Sequence, residues 1–351
     1  MVGAYPPPHG SLLQCRDHAN PRAAVAGHPD YVLPQFFHSP EVHCDVWVDN
    51  IRYTGPVHSV QQASARLDSL AAGFHITWKE ADSFTAATRY DFLGISFDHI
   101  NQTVRPTNKL IKKLTNVDFT TAVAAGDVES LVGRLVHASA ISKVFLGSFY
   151  TPLKWSRRII NSLNRGIRTP STAVDVPTYV RSELRRWIHL VQQPVRIKRE
   201  PLDLAYTIFV DASLDGWGGV IVERATNKIT VLGARWAPRF LGLHINVLEA
   251  LALRNVAVEI PQEASGGRLQ IFVDNTTVRS VAHKGVCVKN RELNDAVVEA
   301  LTHLRNMQCA CSIQWIKSAD NPADPPSRIP MSSLVGDALA RVTDGVKAFL
   351  T

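Results

Sequence analysis

Apolar and polar positions alternate along "HCDVWVDNIRYTG" (43–55), which predicts a strand, a turn and a second strand. "SVQQASARLDSLAAG" follows with Val60, Ala63, Leu67 and Leu70 on one helical face and Gly73 as its stop. "FHITW" (74–78) and "RYDFLGISFD" (89–98) read as two more short strands. From "TNKLIKKL" (107–114) through "ISKVFLGSFYTPLKWSRRIINSLNRG" (141–166) the period becomes helical, with Lys and Arg on outer positions. "PTYVRSELRRWIHLVQQP" predicts one further amphipathic helix, closed by Pro194. Beyond it the character changes. "AYTIFVDASLDGWGGVIVE" (205–223) reads as strand, Gly-rich turn, strand, and "ITVLGARW" (229–236) as a third strand. "HINVLEALALRNVAVEI" is a helix, "RLQIFVDN" a fourth strand, "TTVRSVAHKG" and "NRELNDAVVEALTHLRNMQ" helices around a turn, and "CSIQWIK" a fifth strand. "NPADPPSR" (321–328) is a loop or the start of a helix broken by prolines. Three meandering strands followed by helix, strand, helix, strand describe an α/β fold, a mixed five-stranded sheet with helices on its faces.

Three apolar runs stop on an aspartate: "VWVD" at Val46–Asp49, and "IFVD" at both Ile208–Asp211 and Ile271–Asp274. Turn and cap chemistry accounts for any one of them. If the strands ending at Asp211 and Asp274 are parallel neighbours, however, both carboxylates emerge at one sheet edge. Glu249 lies four residues after Ile245, at the margin of an apolar face marked by Ile245, Leu248, Ala252 and Val256. A carboxylate there is costly unless paired or bound to metal. Asp324 follows the last strand, where the chain returns to the same edge. Acids converging in this way repel unless a cation lies among them, and an all-oxygen set suits Mg²⁺ or Mn²⁺. Two such ions about 4 Å apart would make a phosphodiester hydrolase.

Charge adds a partner class. Residues 101–200 carry 17 Lys and Arg against 6 Asp and Glu, a net of +11, whereas the whole chain is +7 and the remainder therefore −4. A basic middle beside an acidic remainder suggests a polyanion held by one part and processed by another. The 351 residues suggest two or three domains. Seven prolines within residues 1–40 predict an irregular arm. There is no apolar run long enough for a membrane span, and the first residues have no secretory pattern. The five cysteines lack zinc-site spacing and read as reduced thiols in an intracellular protein, nuclear or cytoplasmic.

In order and spacing, "IFVDASLDGWGGVI", "INVLEALAL", "QIFVDNTTV" and "WIKSADNPADPPSR" resemble the ribonuclease H domain of retroelement polyproteins over about residues 203–330. The resemblance puts Asp211, Glu249, Asp274 and Asp324 at the family's four acidic, metal-binding positions. Asp320 competes for the last of these, and the Asn-Pro-Ala-Asp register favours Asp324. There are two departures from the family pattern. Pro325 and Pro326 stand where the family often begins a helix, and the histidine many members carry before the last Asp has no clear counterpart. His283, in a plausible loop, reads as a surface residue.

Upstream, "VHCDVWVDNIRYTG" resembles the strand-turn-strand of a reverse transcriptase palm, and "YDFLGISFD" its primer-grip hairpin. "ESLVGRLVHASAISK" resembles the helical thumb and connection of retrotransposon enzymes, nearest to the DIRS-like tyrosine-recombinase class, with a hepadnavirus-like relative as the alternative. The palm turn reads Asp49-Asn50 where the family has two aspartates, and the family's other metal-binding Asp lies many tens of residues upstream of that turn. Asp45 is too close in sequence to replace it. The resemblance therefore implies a degenerate polymerase turn.

The expected organisation is an irregular arm at 1–40, a palm remnant at 41–100, a basic thumb and connection at 101–200, a ribonuclease H-like domain at 201–330 and a helical tail at 331–351. The expected function is metal-dependent cleavage of the RNA strand of RNA–DNA hybrids, with two Mg²⁺ or Mn²⁺ ions and no polymerase activity. Arg157, Arg158, Arg165, Arg168, Arg185 and Arg186 would hold the hybrid backbone, and Asn275 and the Gly216–Gly219 turn would contact 2′-hydroxyls. No membrane is expected to be involved. A protein partner or second subunit remains open, because the polymerase site is incomplete here. The other function classes are a non-catalytic nucleic-acid-binding scaffold derived from a retroelement and, more weakly, a transposase- or resolvase-like nuclease of the same fold.

Overall fold

The computed structural model describes residues 41–47, 50–73, 75, 77, 87–119, 122–197 and 203–350. Asp49 and most of "FHITW", on which two expectations fall, lie outside these residues. The described residues form two compact units, one within Met1–Lys109 and Pro194–Arg199, the other within Leu110–Gln193 and Glu200–Thr351.

In the first unit, β1 (His43–Trp47) and β2 (Asn50–Thr54) pair antiparallel, and α1 (Val57–Gly73) follows. Asp45 and Arg52 face each other across the hairpin and form an ion pair at 2.5 Å. A second sheet has the order β3-β4-β5-β8, from β3 (Arg89–Phe92), β4 (Ile95–Asp98), β5 (Thr103–Pro106) and β8 (Val195–Arg196). "RYDFLGISFD" is thus two strands rather than one. Leu93 and Gly94 carry positive φ values of 50° and 79° and turn the chain back on itself. This is the hairpin that the palm resemblance implied.

The second unit begins with the helices α2 (Asn108–Thr115), α3 (Ala125–Ile141), α4 (Tyr150–Asn164) and α5 (Thr178–Val191). The short strands β6 (Val123–Ala124) and β7 (Ala173–Val174) pair beside them. Leu131, Leu135, Phe149, Leu184 and Trp187 form their core, with Phe149 and Trp187 stacked at 4.8 Å between ring centres. Buried Ser139 accepts the Trp187 indole N–H at 2.7 Å, so that this buried proton is satisfied.

A five-stranded sheet then follows, from β9 (Leu204–Ala212), β10 (Gly216–Glu223), β11 (Ile229–Arg235), β12 (Arg268–Val273) and β13 (Ala310–Trp315). Its order is β11-β10-β9-β12-β13, antiparallel from β11 to β9 and parallel from β9 to β13. This is the mixed five-stranded sheet the sequence predicts. On one face, α6 (Ile245–Val258), α7 (Thr276–Lys284) and α8 (Arg291–Asn306) cover Ile208, Val210, Ile271 and Val273. On the other face, α10 (Asp337–Leu350) packs Val342 and Val346 against Phe209 and Phe272, whose side chains point the opposite way by strand alternation. The expected helical tail is therefore an integral layer of the sheet.

The glycines of "DGWGGV" lie inside β10 rather than in a turn, which is Ser213–Asp215. The reason is space. A Cβ on Gly218 would come within 2.5 Å of the Ala323 carbonyl oxygen and 2.6 Å of the Ser327 nitrogen. Only glycine lets α9 (Asp324–Arg328) lie against this strand.

Candidate active site

Strands β9 and β12 are parallel, with Val210 opposite Val273. The next residues are Asp211 and Asp274, so the two carboxylates stand side by side at the ends of neighbouring strands. Helix α6 starts after His244, whose ring accepts the Asn246 N–H, and places Glu249 in its second turn against β9. One oxygen of each of Asp211, Glu249 and Asp274 lies within 4.8 Å of the others. Glu249 is 5% exposed and Asp211 2% exposed. The helix is apolar almost all round, because it is held between the sheet and α8, so Glu249 sits deeper than the margin the apolar face suggested.

Both acids are pushed well above the ordinary carboxylate range. Burial raises Glu249 to about 9, helped by repulsion from Asp211 and Asp274, while the Ala212 N–H donates to it and Arg328 opposes the rise. Its Oε2 is buried with no hydrogen-bond partner among the described residues. Burial also raises Asp211, to about 7; Ser327 and Arg328 pull it down, and Asp274 and Asp324 push it up.

Asp324 opens α9 at the rim of the trio, half-buried, with Oδ1 bonded to Arg328 Nη2 and Nε, each at 2.8 Å. The two prolines do not break the helix. They occupy its first turn, where a backbone N–H has no intrahelical partner to lose. Asn321 seats the segment: its Nδ2 donates to the Val210 carbonyl at 3.0 Å and its Oδ1 accepts the Ala323 N–H. Ser327 donates to Asp211 Oδ2 at 2.5 Å, and its own carbonyl accepts the Ser213 hydroxyl at 2.7 Å. Asp320 is exposed in the preceding turn and is not among the groups acting on Asp211. Sequence reasoning passed over Asn321, Ser327 and Arg328 as working residues, although the segment "NPADPPSR" contains all three.

Asn275 caps α7, accepting the Thr277 and Val278 N–H groups, and its amide nitrogen donates to Asn246 Oδ1 at 2.9 Å. On the other side, Trp315 donates its indole N–H to the Asp274 carbonyl at 2.9 Å and leaves the ring 48% exposed. His283 lies in the last turn of α7 rather than in a loop, its Nε2 3.0 Å from the Ile313 carbonyl.

Among the arginines, Arg157 and Arg158 on α4 and Arg165 just after it are exposed. Arg168 is half-buried and donates to Ser162 Oγ at 3.3 Å. Arg185 is exposed and lines a cleft of about 230 Å³ with Thr115, Phe119, His189 and Gln192. Arg186 is committed within the chain, paired to Glu183 at 3.2 Å and lying over the Phe149 ring at 5.2 Å. Asn50 begins β2 and is exposed.

No protein-family model and no curated protein matches this chain. Among solved structures, a foamy viral protease-reverse transcriptase in complex with RNA/DNA hybrid is 11% identical with a TM-score of 0.36, covering 78% of this chain and 36% of that one. The same kind of protein in complex with dsDNA is 10% identical with a TM-score of 0.37, covering 89% and 60%. This chain thus spans less than two thirds of those viral proteins. RNase H1 from Halobacterium salinarum is 17% identical with a TM-score of 0.29, and 96% of it is matched by 38% of this chain. The N-terminal RNase H domain of a Mycobacterium tuberculosis protein, solved as a fusion with maltose binding protein, is 16% identical with a TM-score of 0.31, covering 41% of this chain and 99% of that one. The fold rests on the sheet topology above, and the chemistry on the site.

Proposed function

We propose that this protein is a metal-dependent nuclease that hydrolyses the RNA strand of RNA–DNA hybrids. One observation carries the reading: Asp211, Glu249 and Asp274 converge within 4.8 Å, and one buried oxygen of Glu249 has no partner among the described residues. Buried carboxylates with no cation among them are costly, and an orphaned acceptor adds to that cost. The donor set fits hard cations, since every atom offered is a carboxylate oxygen. Asp211, Glu249, Asp274 and Asp324 would hold two Mg²⁺ or Mn²⁺ ions. When bound, the ions would supply an activated water and stabilise the leaving oxygen.

The chain's own residues prepare the site. Ser327 orients Asp211 through Oδ2, and Arg328 holds Asp324 through Oδ1. Trp315 holds the Asp274 carbonyl, and Asn275 caps the helix that starts just after Asp274. Arg157, Arg158, Arg165 and Arg185 offer exposed guanidinium groups to a phosphate backbone. Arg168 and Arg186 contribute mainly to local structure through Ser162, Glu183 and Phe149. The amide nitrogen of Asn275 has one hydrogen on Asn246 and one left for a 2′-hydroxyl. In the palm-like half, Asn50 offers a neutral amide where the resemblance calls for a carboxylate, so templated synthesis is not expected of this chain.

The test is a cleavage assay on RNA–DNA hybrid, double-stranded RNA and double-stranded DNA, with Mg²⁺ and with chelator. Mg²⁺-dependent loss of the RNA strand of the hybrid alone is expected. Binding without cleavage under all conditions would favour the scaffold class instead.

A further inference from the structure

Gly147 has both of its peptide groups bonded to the ribonuclease H-like domain. Its N–H donates to the Gly285 carbonyl at 2.6 Å, and its carbonyl accepts from Asn294 Nδ2 at 3.0 Å. Asn294 is 0% exposed. Its Oδ1 accepts the Cys287 N–H at 3.0 Å, and its Nδ2 also lies 3.1 Å from Asp295 Oδ1. A buried amide satisfied at both ends specifies one arrangement, because removing either partner strands a polar group. There is no room for a side chain at Gly147. A Cβ would meet the Val298 side chain, the Gly285 carbonyl oxygen at 2.8 Å and Asn294 Oδ1 at 2.9 Å.

The packing extends around this point. Val286 and Val288 pack against the hydrophobic core of the basic helices, the cluster that holds Phe149 and Trp187. Arg305 lies over the Phe145 ring at 5.0 Å, and Arg291 over Tyr150 at 5.8 Å. Both sides of the junction lead to working residues. Gly147 sits in the turn Leu146–Phe149 that runs directly into α4, which carries Arg157 and Arg158. Gly285 ends α7, whose first turn is capped by Asn275 next to Asp274.

We propose that Asn294, with Gly147 seated against it, is a positioning residue for the substrate. It holds the arginine face of α4 at a fixed place relative to the acidic edge, so that one hybrid engages both. This rests on the nuclease reading above and adds to it: the basic helices would be a rigid part of the substrate track rather than a tethered accessory.

The full chain is assayed for binding and steady-state cleavage of a long RNA–DNA hybrid, with Asn294→Ala, Arg157→Ala with Arg158→Ala, and all three together. Loosening the junction should raise KM several-fold and flatten the salt dependence of binding, with kcat at saturating hybrid retained. The arginine substitutions should then add little in the Asn294→Ala background. Gly147→Ala, acting from the other side of the junction, should give the same pattern, and it carries the test if Asn294→Ala does not fold. Full additivity of the two sets, or an unchanged KM and salt slope beside a lowered unfolding temperature, would overturn the proposal and leave Asn294 with a structural role only. If the wild-type protein binds hybrid but cleaves none, the nuclease reading fails by itself. Non-additive salt slopes in binding would still support the junction, and additive ones would still refute it.

Discussion

Ser327 donates its hydroxyl to Asp211 Oδ2 at 2.5 Å, across 116 positions of the chain. The same hydroxyl oxygen lies 2.8 Å from the Asp324 carbonyl, so one small side chain ties the first strand's acid to the last acid's helix. This bond is the largest influence pulling Asp211 down against burial. Ser327→Ala should move Asp211 further up and shift the acid limb of the pH–activity profile with it. A rise of one pH unit costs about tenfold in activity well below the limb and nothing well above it. Superimposable profiles for the two proteins would show that the hydroxyl does not tune the site.

The raised acids also make stability depend on pH. Asp211 and Glu249 lie above their ordinary values of 3.8 and 4.5, at about 7 and about 9. Each binds its proton more tightly in the folded chain, so its contribution is fully present below about pH 4 and is lost as pH rises through 7 and then 9. In chelator at pH 8, Glu249→Gln should therefore unfold at a higher temperature than wild type, by roughly 2–4 °C for each kcal/mol relieved. Mg²⁺ should raise the wild-type melting temperature more at pH 8 than at pH 5. Calorimetry at the two pH values, with and without Mg²⁺, checks both expectations; a melting temperature indifferent to Mg²⁺ at pH 8 would contradict them.

Gly218 pairs with Asp211 across β9 and β10 and touches the Asp324 segment on its other side. Gly218→Ala forces Ala323 and Ser327 outward, because the atoms it would strike belong to the backbone and cannot rotate aside. Overpacking of this kind costs about 1–3 kcal/mol. The variant should keep its fold but lose most of its cleavage, since both Ser327 and Asp324 move away from Asp211. Circular dichroism together with the hybrid assay separates the two effects. Full activity would mean that the Asp324 segment is dispensable.

Arg157 and Arg158 are exposed on α4. Neutralising both should weaken binding to hybrid and to plain duplex alike and reduce the salt slope by roughly one unit for each phosphate no longer neutralised. Fluorescence anisotropy across a salt series measures this. Unchanged affinity at low salt would show that the face serves another purpose.

The sheet was legible because its strands carry short apolar runs bounded by turn residues, and because Asp211 and Asp274 follow matching "IFV" segments that pair in register. Other features depend on residues remote in sequence. Periodicity placed Glu249 at the margin of a helix; α8, which packs over α6, puts it inside. Glycines 216 and 218 look like a turn until α9 is brought against the strand, and Gly219 until Val256 of α6 is. Leu93 gave no turn signal of its own, being an apolar residue with positive φ in an otherwise regular strand pattern. Asn294 is a polar residue inside an amphipathic helix, and nothing in its local pattern reveals a partner 147 positions away.

If Asp211 and Asp274 form a metal-dependent hydrolytic site, neither carboxylate can be spared. The most direct measurement is the rate of RNA-strand cleavage in an RNA–DNA hybrid by Asp211→Asn and Asp274→Asn, each beside wild type in saturating Mg²⁺. Removing a carboxylate of this kind takes away several kcal/mol of transition-state stabilisation, so each variant should lose at least about a thousandfold in rate. Each should also unfold no more readily than wild type in chelator, because a repelling charge has gone. Near wild-type cleavage by Asp211→Asn would contradict the assignment of the site.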